Sequence, residues 1–447
     1  MERSEMNRLA CTAGRFLRGG IGLRTIYEGG LVYMGGALVK ADFSVSGGKI
    51  EKVGNVSSGA EDKVISLTGK YVFPGFADVH VHFREPGFSY KETIETGSKA
   101  AAAGGYTVVG TMPNLNPAPD NQVNLEKQLS LIRENAVIEV IPYGTISMER
   151  KGKTLSKMDE MAKDVIGFSD DGSGVDDDAL ILEAMKKAKA LDKVIAAHSE
   201  VLSLVNGGHA HDGEFARKNG IKGISSESEW KMVERDISLA RETGVKHHVC
   251  HISTKETVEL VRKAKAQGID VTCETAPHYL IMNDSMLKNE GRYKMNPPIR
   301  SEEDRLALLQ GALDGTIDMI ATDHAPHAKH EKEGTFPESA MGVTGIETAF
   351  QMMYTYLVKP GIMPLERLIE MMAENPRKRF SLPECRIEEG YDADFTVFDP
   401  ETKGIVNGEK LLSMGKYTPF EGWRAEGEIV RTVYKGTTVF AKQKAEE

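Results

Sequence analysis

The sequence predicts an α/β fold, a (β/α)8 TIM barrel with a small β-sandwich formed by both chain ends. Between about residues 76 and 384, short apolar runs alternate with amphipathic helical stretches, the pattern of repeated βα units around a parallel sheet. Both chain ends instead carry short runs of alternating polarity, which suit strands buried on one face. Histidines and aspartates of metal-binding type fall where the apolar runs stop, and a barrel collects its reactive groups at the C-terminal ends of its strands.

Residues 1–24 read as a ragged N-terminal extension. Arg3, Arg8, Arg15, Arg18 and Arg24 suggest a transit peptide weakly, but Glu2 and Glu5 oppose it and no secretory apolar core is present. Residues 25–75 supply the N-terminal part of the sandwich, with Leu31–Met34, Ala41–Ser46 and Lys49–Val53 as strands and Gly47-Gly48 as a hairpin turn. The barrel takes residues 76–384. Its eight expected strands are Gly75–His82, Tyr106–Met112, Ala136–Tyr143, Val165–Ser169, Val194–His198, Lys246–His251, Val271–Ala276 and Met319–Asp323. Helices are expected between them, among others Tyr90–Ala103, Ala179–Leu191, Ser228–Thr243 and Lys255–Gln267. Residues 385–447 return to strand texture in Ala393–Phe398 and Ile429–Phe440 and complete the sandwich.

A net charge of -10 and a pI near 5.8 argue against an extended nucleic-acid surface, which needs clustered Lys and Arg. No apolar run reaches the roughly 18 residues of a membrane span. Cys11, Cys250, Cys273 and Cys385 are scattered without a Cys-x-x-Cys, so buried inert thiols in a reducing cytoplasm are expected.

His80-Val81-His82 closes the first expected strand. Residues i and i+2 of a strand share a face, so both imidazoles can converge on one ion. Alone, such a pair is a weak signal, because chance produces it often. Here His198 ends the fifth expected strand, His251 the sixth and Asp323 the eighth. Unrelated core histidines do not explain that shared position on one rim. Imidazole with carboxylate suits zinc better than magnesium, which prefers oxygen ligands. Zinc lowers the pKa of a bound water to about 7, and Asp323 can hold and pass on the released proton, which is hydrolytic chemistry.

Strand-end His-x-His, His, His and Asp on such a barrel, with a flanking sandwich, resemble the amidohydrolase superfamily over nearly the whole chain. Within its cyclic-amidohydrolase branch, the stretches His80–Gly87, Gly110–Asn114, Asn296–Arg300 and Asp323–His327 are similar to those of class I dihydroorotases. Many relatives bridge two metals with a carboxylated lysine on the fourth strand, but Val165–Gly172 contains no lysine. The resemblance therefore implies an aspartate there: Asp171, 27 residues before His198, with Asp170 as the alternative. Asp170–Gly174 also reads as a plain turn. One or two zinc ions are implied.

The implied substrate carries a carboxylate beside a cyclic amide. Arg84 offers a fork for that carboxylate, and Asn114, Asn296 and His327 complete the substrate-binding set that the resemblance implies. The plainer alternatives are an Arg84–Glu85 pair and turn-stabilising roles for the two asparagines. The implied reaction is the reversible opening of dihydroorotate to N-carbamoyl-L-aspartate in pyrimidine biosynthesis, with Asp323 as proton carrier. A homodimer or higher oligomer is expected, and an aspartate transcarbamoylase partner stays open. The nearest rival is an allantoinase or hydantoinase, favoured by the segment Glu274–Tyr279. The other is a non-catalytic scaffold of the transcarbamoylase, a type of chain that usually lacks metal ligands. Residues 328–345 read equally as a solvated loop or a lid. His209 and His211 read as loop residues, His278 as structural support, and His247 and His248 as facing opposite ways.

Overall fold

Eight parallel strands run through the centre of the structure, a computed structural model that describes residues 24–442. The first 23 residues lie outside the described ones, and with them Cys11 and nearly all of the extension expected over residues 1–24. The central strands are Phe76–Val81, Tyr106–Thr111, Glu139–Pro142, Gly167–Phe168, Val194–Ala197, Lys246–Val249, Val271–Thr275 and Met319–Ile320. They pair in sequence order as a run of three and a run of five. A parallel bridge between Gly144 and Phe168 joins the two runs. Another between Val81 and His324 brings the chain beyond the eighth strand back to the first, where His82 N–H donates to His324 O at 2.9 Å.

All eight expected strands are present, but the sixth and eighth stop sooner than their apolar runs suggest. His251 and Asp323 have φ of 31° and 45°, a left-handed conformation that turns the chain out of the pleat. Polarity patterns do not report this, since the side chains concerned stay buried. Helices lie where amphipathic spacing places them, at Ile94–Ala103, Asp178–Ala190, Glu227–Thr243 and Lys255–Ala266. The first starts four residues later than expected. Its start is fixed by Thr93, whose hydroxyl accepts from Thr96 N, and by Glu85, whose carboxylate accepts from Ile94 N at 2.8 Å.

Strands from both chain ends build one further sheet. Its order is Thr437–Ala441, Arg424–Tyr434, Phe395–Ile405, Tyr71–Pro74, Thr25–Met34, Ala37–Ser46 and Lys49–Val53, with Lys63–Ser66 beside Thr25–Met34. Gly47 and Gly48, at φ 58° and 82°, make the hairpin turn that the sequence suggests. The sheet curls: Tyr27 meets Phe395 at 5.0 Å between ring centroids although a strand separates theirs, and Lys49 bridges to Asp392. An aromatic block fastens this sheet to the central unit. Phe350 lies 4.8 Å from Phe76, 5.3 Å from Phe73 and 5.0 Å from Phe398, all four buried. Among the described residues, no helix is long and apolar enough to cross a membrane.

Candidate metal centre and active site

The C-terminal ends of the first, fourth, fifth, sixth and eighth strands converge. They bring together His80, His82, Asp171, His198, His251 and Asp323, all buried. Asp171 stands at the middle. Its Oδ1 lies 3.3 Å from His80 Nε2, 3.4 Å from His198 Nδ1 and 3.5 Å from His251 Nε2, and its Oδ2 lies 3.5 Å from His82 Nε2. Asp323 Oδ1 is 3.0 Å from His82 Nε2 and 3.6 Å from His80 Nε2. Asp170 is turned away: its carboxylate accepts from Ile146 N, Ser147 N and the Ser147 hydroxyl. The two adjacent aspartates thus have separate tasks, one closing a turn and one facing the histidines.

The donor set fits a divalent ion. Ligands about 2.1 Å from a tetrahedral zinc stand about 3.4 Å from one another, close to the spacings around Asp171. His80 Nε2 and Asp171 Oδ1 are buried without a hydrogen bond, a cost that ligation removes. Burial works to raise the Asp171 carboxyl, yet His80, His198 and His251 hold it well below the usual range. Two buried carboxylates and four imidazoles gathered at one point are a donor set that a cation can balance in place of protons on the rings.

The ligand-type histidines are also held from behind. His82 Nδ1 lies 2.8 Å from Asn114 Oδ1, and His80 Nδ1 lies 2.6 Å from Glu274 Oε1. Glu200 Oε2 stands 3.5 Å from His198 Nε2, which makes no hydrogen bond, and Glu200 Oε1 accepts from Asn296 Nδ2 at 2.8 Å. Asn114 and Asn296 therefore each spend one end of the amide on this support. Asp78 ties the first strand to the eighth by accepting from His80 N, Thr322 N and the Thr322 hydroxyl.

Beside the donors lies an unpaired cation. Arg84, at φ 60° and buried, has no carboxylate within salt-bridge distance among the described residues. Its supposed neighbour Glu85 is occupied at the helix start, as described above. The Arg84 guanidinium gives one Nε–H to Pro326 O at 3.2 Å and lies 3.5 Å from His327 Nε2. Burial pulls it down to about 10. Burial, with Arg84 and Lys91 alongside, takes His327 down to about 3, so it is neutral and donates through Nε2 to Met341 O at 2.8 Å.

The segment after Asp323 is pinned. Buried Lys332 donates to Ala340 O and Gly342 O at 2.7 Å and to Lys294 O at 3.1 Å, while Lys294 Nζ donates to Pro337 O at 2.7 Å. Phe336 is buried against Phe215. Lys332→Met is expected to speed hydrogen exchange of the Ala340–Gly342 amides while leaving those of Lys246–Val249 protected. Unchanged exchange in the variant would show that other contacts hold the segment.

Outside the cluster, His209 Nδ1 lies 3.3 Å from Lys294 Nζ and His211 Nδ1 3.4 Å from Arg300, both away from the donors. His248 faces inward to Glu274, and His247 is buried with neither ring nitrogen bonded. The sequence reading missed Glu274, Glu200 and Asp78. Strand periodicity carried a signal for Asp78, which shares a face with His80 and His82, and for Glu274, a charge inside an apolar strand.

Comparison with known proteins agrees with this geometry. The family described as Dihydro-orotase-like matches residues 69–257. A dihydroorotase of Fusobacterium nucleatum is 46% identical over 402 residues, 90% of this chain and 95% of the relative. One of Bacillus licheniformis is 45% identical over 408 residues, 91% and 95% of the two chains. Among solved structures, an L-hydantoinase (dihydropyrimidinase) from Arthrobacter aurescens superposes with a TM-score of 0.85 at 26% identity, covering 95% of this chain and 97% of its own. A D-hydantoinase (dihydropyrimidinase) from Thermus sp. gives 0.82 at 25% identity, with the same coverage. Fold, donor cluster and structural relatives together define a metal-dependent cyclic amidohydrolase. Sequence divides that class further, and by it the chain belongs to the dihydroorotase family.

Proposed function

We propose that this protein catalyses the reversible hydrolysis of the cyclic amide of (S)-dihydroorotate to N-carbamoyl-L-aspartate, a step of pyrimidine biosynthesis. The observation that carries the substrate assignment is Arg84, a buried guanidinium with no acid partner among the described residues, set beside a cluster of metal-binding side chains. A substrate carboxylate completes that pair. The reading takes the eight central strands as a closed (β/α)8 barrel over residues 76–384. It takes the curled sheet as a small sandwich, contributed by residues 25–75 and 385–447.

His80, His82, Asp171, His198, His251 and Asp323 would hold zinc, as one ion or as two. Zinc there supplies Lewis acidity for water activation and carbonyl polarisation. The remaining steps belong to side chains. Arg84 grips the substrate carboxylate through its fork, with neutral His327 and the free amide ends of Asn114 and Asn296 beside it. Asp323 takes a proton from the attacking water and returns it to the ring nitrogen as the C–N bond breaks. That nitrogen becomes the terminal amide of the carbamoyl group, and the former carbonyl carbon becomes a second carboxylate. Condensation runs the same steps backwards.

The test is turnover of the purified, zinc-loaded chain on dihydroorotate beside hydantoin and allantoin. Dihydroorotate is expected to be preferred, and preference for either of the others overturns the substrate assignment. Buried free thiols at Cys250, Cys273 and Cys385 support a reducing, cytoplasmic setting. Sizing the chain alone and with aspartate transcarbamoylase tests the homo-oligomer and the partner that the family resemblance implies.

A further inference from the structure

A histidine that ligates through one ring nitrogen needs its other nitrogen held, because that partner decides the tautomer. For His80 the partner is Glu274. Its Oε1 lies 2.6 Å from His80 Nδ1 and accepts the His251 backbone N–H at 3.3 Å, while its Oε2 lies 3.0 Å from His248 Nε2. His248 is fixed in turn by Thr272, whose hydroxyl is 2.9 Å from its Nδ1. Glu274 belongs to the seventh strand, His80 to the first, and His251 follows the sixth. One carboxylate thus fastens two positions of the donor cluster from a third strand.

Glu274 is fully buried, and among the described residues its only charge-pairing neighbours are His80 and His248. A carboxylate so placed is costly unless both oxygens are bonded, and both are. Its chain neighbours Cys273 and Thr275 are buried and uncharged, so the charge at this point of the strand is particular to Glu274. The bond to the His251 backbone also falls on a residue at φ 31°, a conformation that persists only where the surroundings hold it.

We infer that Glu274 is a positioning residue for the metal centre. It keeps the proton of His80 on Nδ1, so that Nε2, which faces Asp171, is the free donor. It also steadies the chain at His251. The inference rests on the metal-centre reading above, and one measurement separates the two.

Zinc affinity is measured by chelator competition on the full chain and on Glu274→Gln, together with the melting temperature and circular dichroism of both metal-free proteins. The variant is expected to bind zinc about 10- to 100-fold more weakly, with the circular dichroism of the metal-free fold unchanged and its melting temperature lowered. Wild-type affinity in a folded Glu274→Gln protein overturns the inference and leaves the metal centre standing. A wild-type chain that takes up no zinc overturns both. Should Glu274→Gln not fold, Glu274→Asp takes its place, because it keeps the charge but withdraws it from His80. The same weakening is expected there, and wild-type affinity again refutes the role.

Discussion

Asp323→Asn is expected to lower kcat by about 10²- to 10⁴-fold, the usual contribution of a positioned proton carrier. Two carboxylates face the histidines, and their contacts divide the work. Asp171 uses both oxygens, Oδ1 towards His80, His198 and His251 and Oδ2 towards His82. Every such contact of Asp323 is made through Oδ1. Its Oδ2 has no protein partner among the described residues and is the atom free to carry a proton. Burial works against its charge, but the bond to His82 and the neighbouring His80 keep the carboxyl below its ordinary value, so it stands ionised. Asparagine preserves the shape and an oxygen for ligation, but cannot take up the proton. The check is single-turnover and steady-state rate with zinc content measured on the same sample. A zinc-loaded variant working near the wild-type rate would remove Asp323 from proton transfer.

The order of elements was legible because strand and helix differ in period, and eight apolar runs separated by amphipathic stretches leave few alternatives. Strand ends were less legible. His251 and Asp323 sit at the close of apolar runs and remain buried, so composition extends their strands, whereas positive φ ends the pleat there. The joining of both chain ends was readable as texture. Its particular pairing was not: Tyr71–Pro74 lies between the N-terminal strands and Phe395–Phe398, and non-local partners leave no local trace.

The clustering of the histidines was legible because each falls at the close of an apolar run, a position that sequence exposes. The choice between Asp170 and Asp171 depended on a turn of the backbone after Phe168: Asp170 is bonded to Ile146 and Ser147, while Asp171 faces the histidines. The supporting groups were harder still. Glu274 and Glu200 act on histidines 194 and 2 residues away along the chain, so neither spacing suggests a common rule. Asn114 shows how a role inferred from likeness alone is incomplete, since its oxygen is already bonded to His82.

Replacing Arg84 is expected to change which substrates are accepted rather than whether the site works. Its guanidinium is buried, has no acid partner among the described residues, and donates to Pro326 O beside the neutral His327 ring. An unpaired buried cation is costly, and a residue at φ 60° adds backbone strain of about 1–3 kcal/mol. The fold carries both costs at one residue next to the donors. A bound carboxylate repays them through two parallel hydrogen bonds in a water-poor setting. Losing one partner of such a pair costs about 2–5 kcal/mol, so Arg84→Gln should reduce kcat/KM for dihydroorotate by roughly 30- to 5000-fold. Arg84→Lys should recover only part, because an ammonium cannot form the fork. Dihydrouracil, the same ring without the carboxylate, provides the internal control: its slow turnover should be unaffected or improved, with zinc content unchanged. Equal losses on both substrates would mean that Arg84 supports the donor cluster and that the carboxylate is recognised elsewhere.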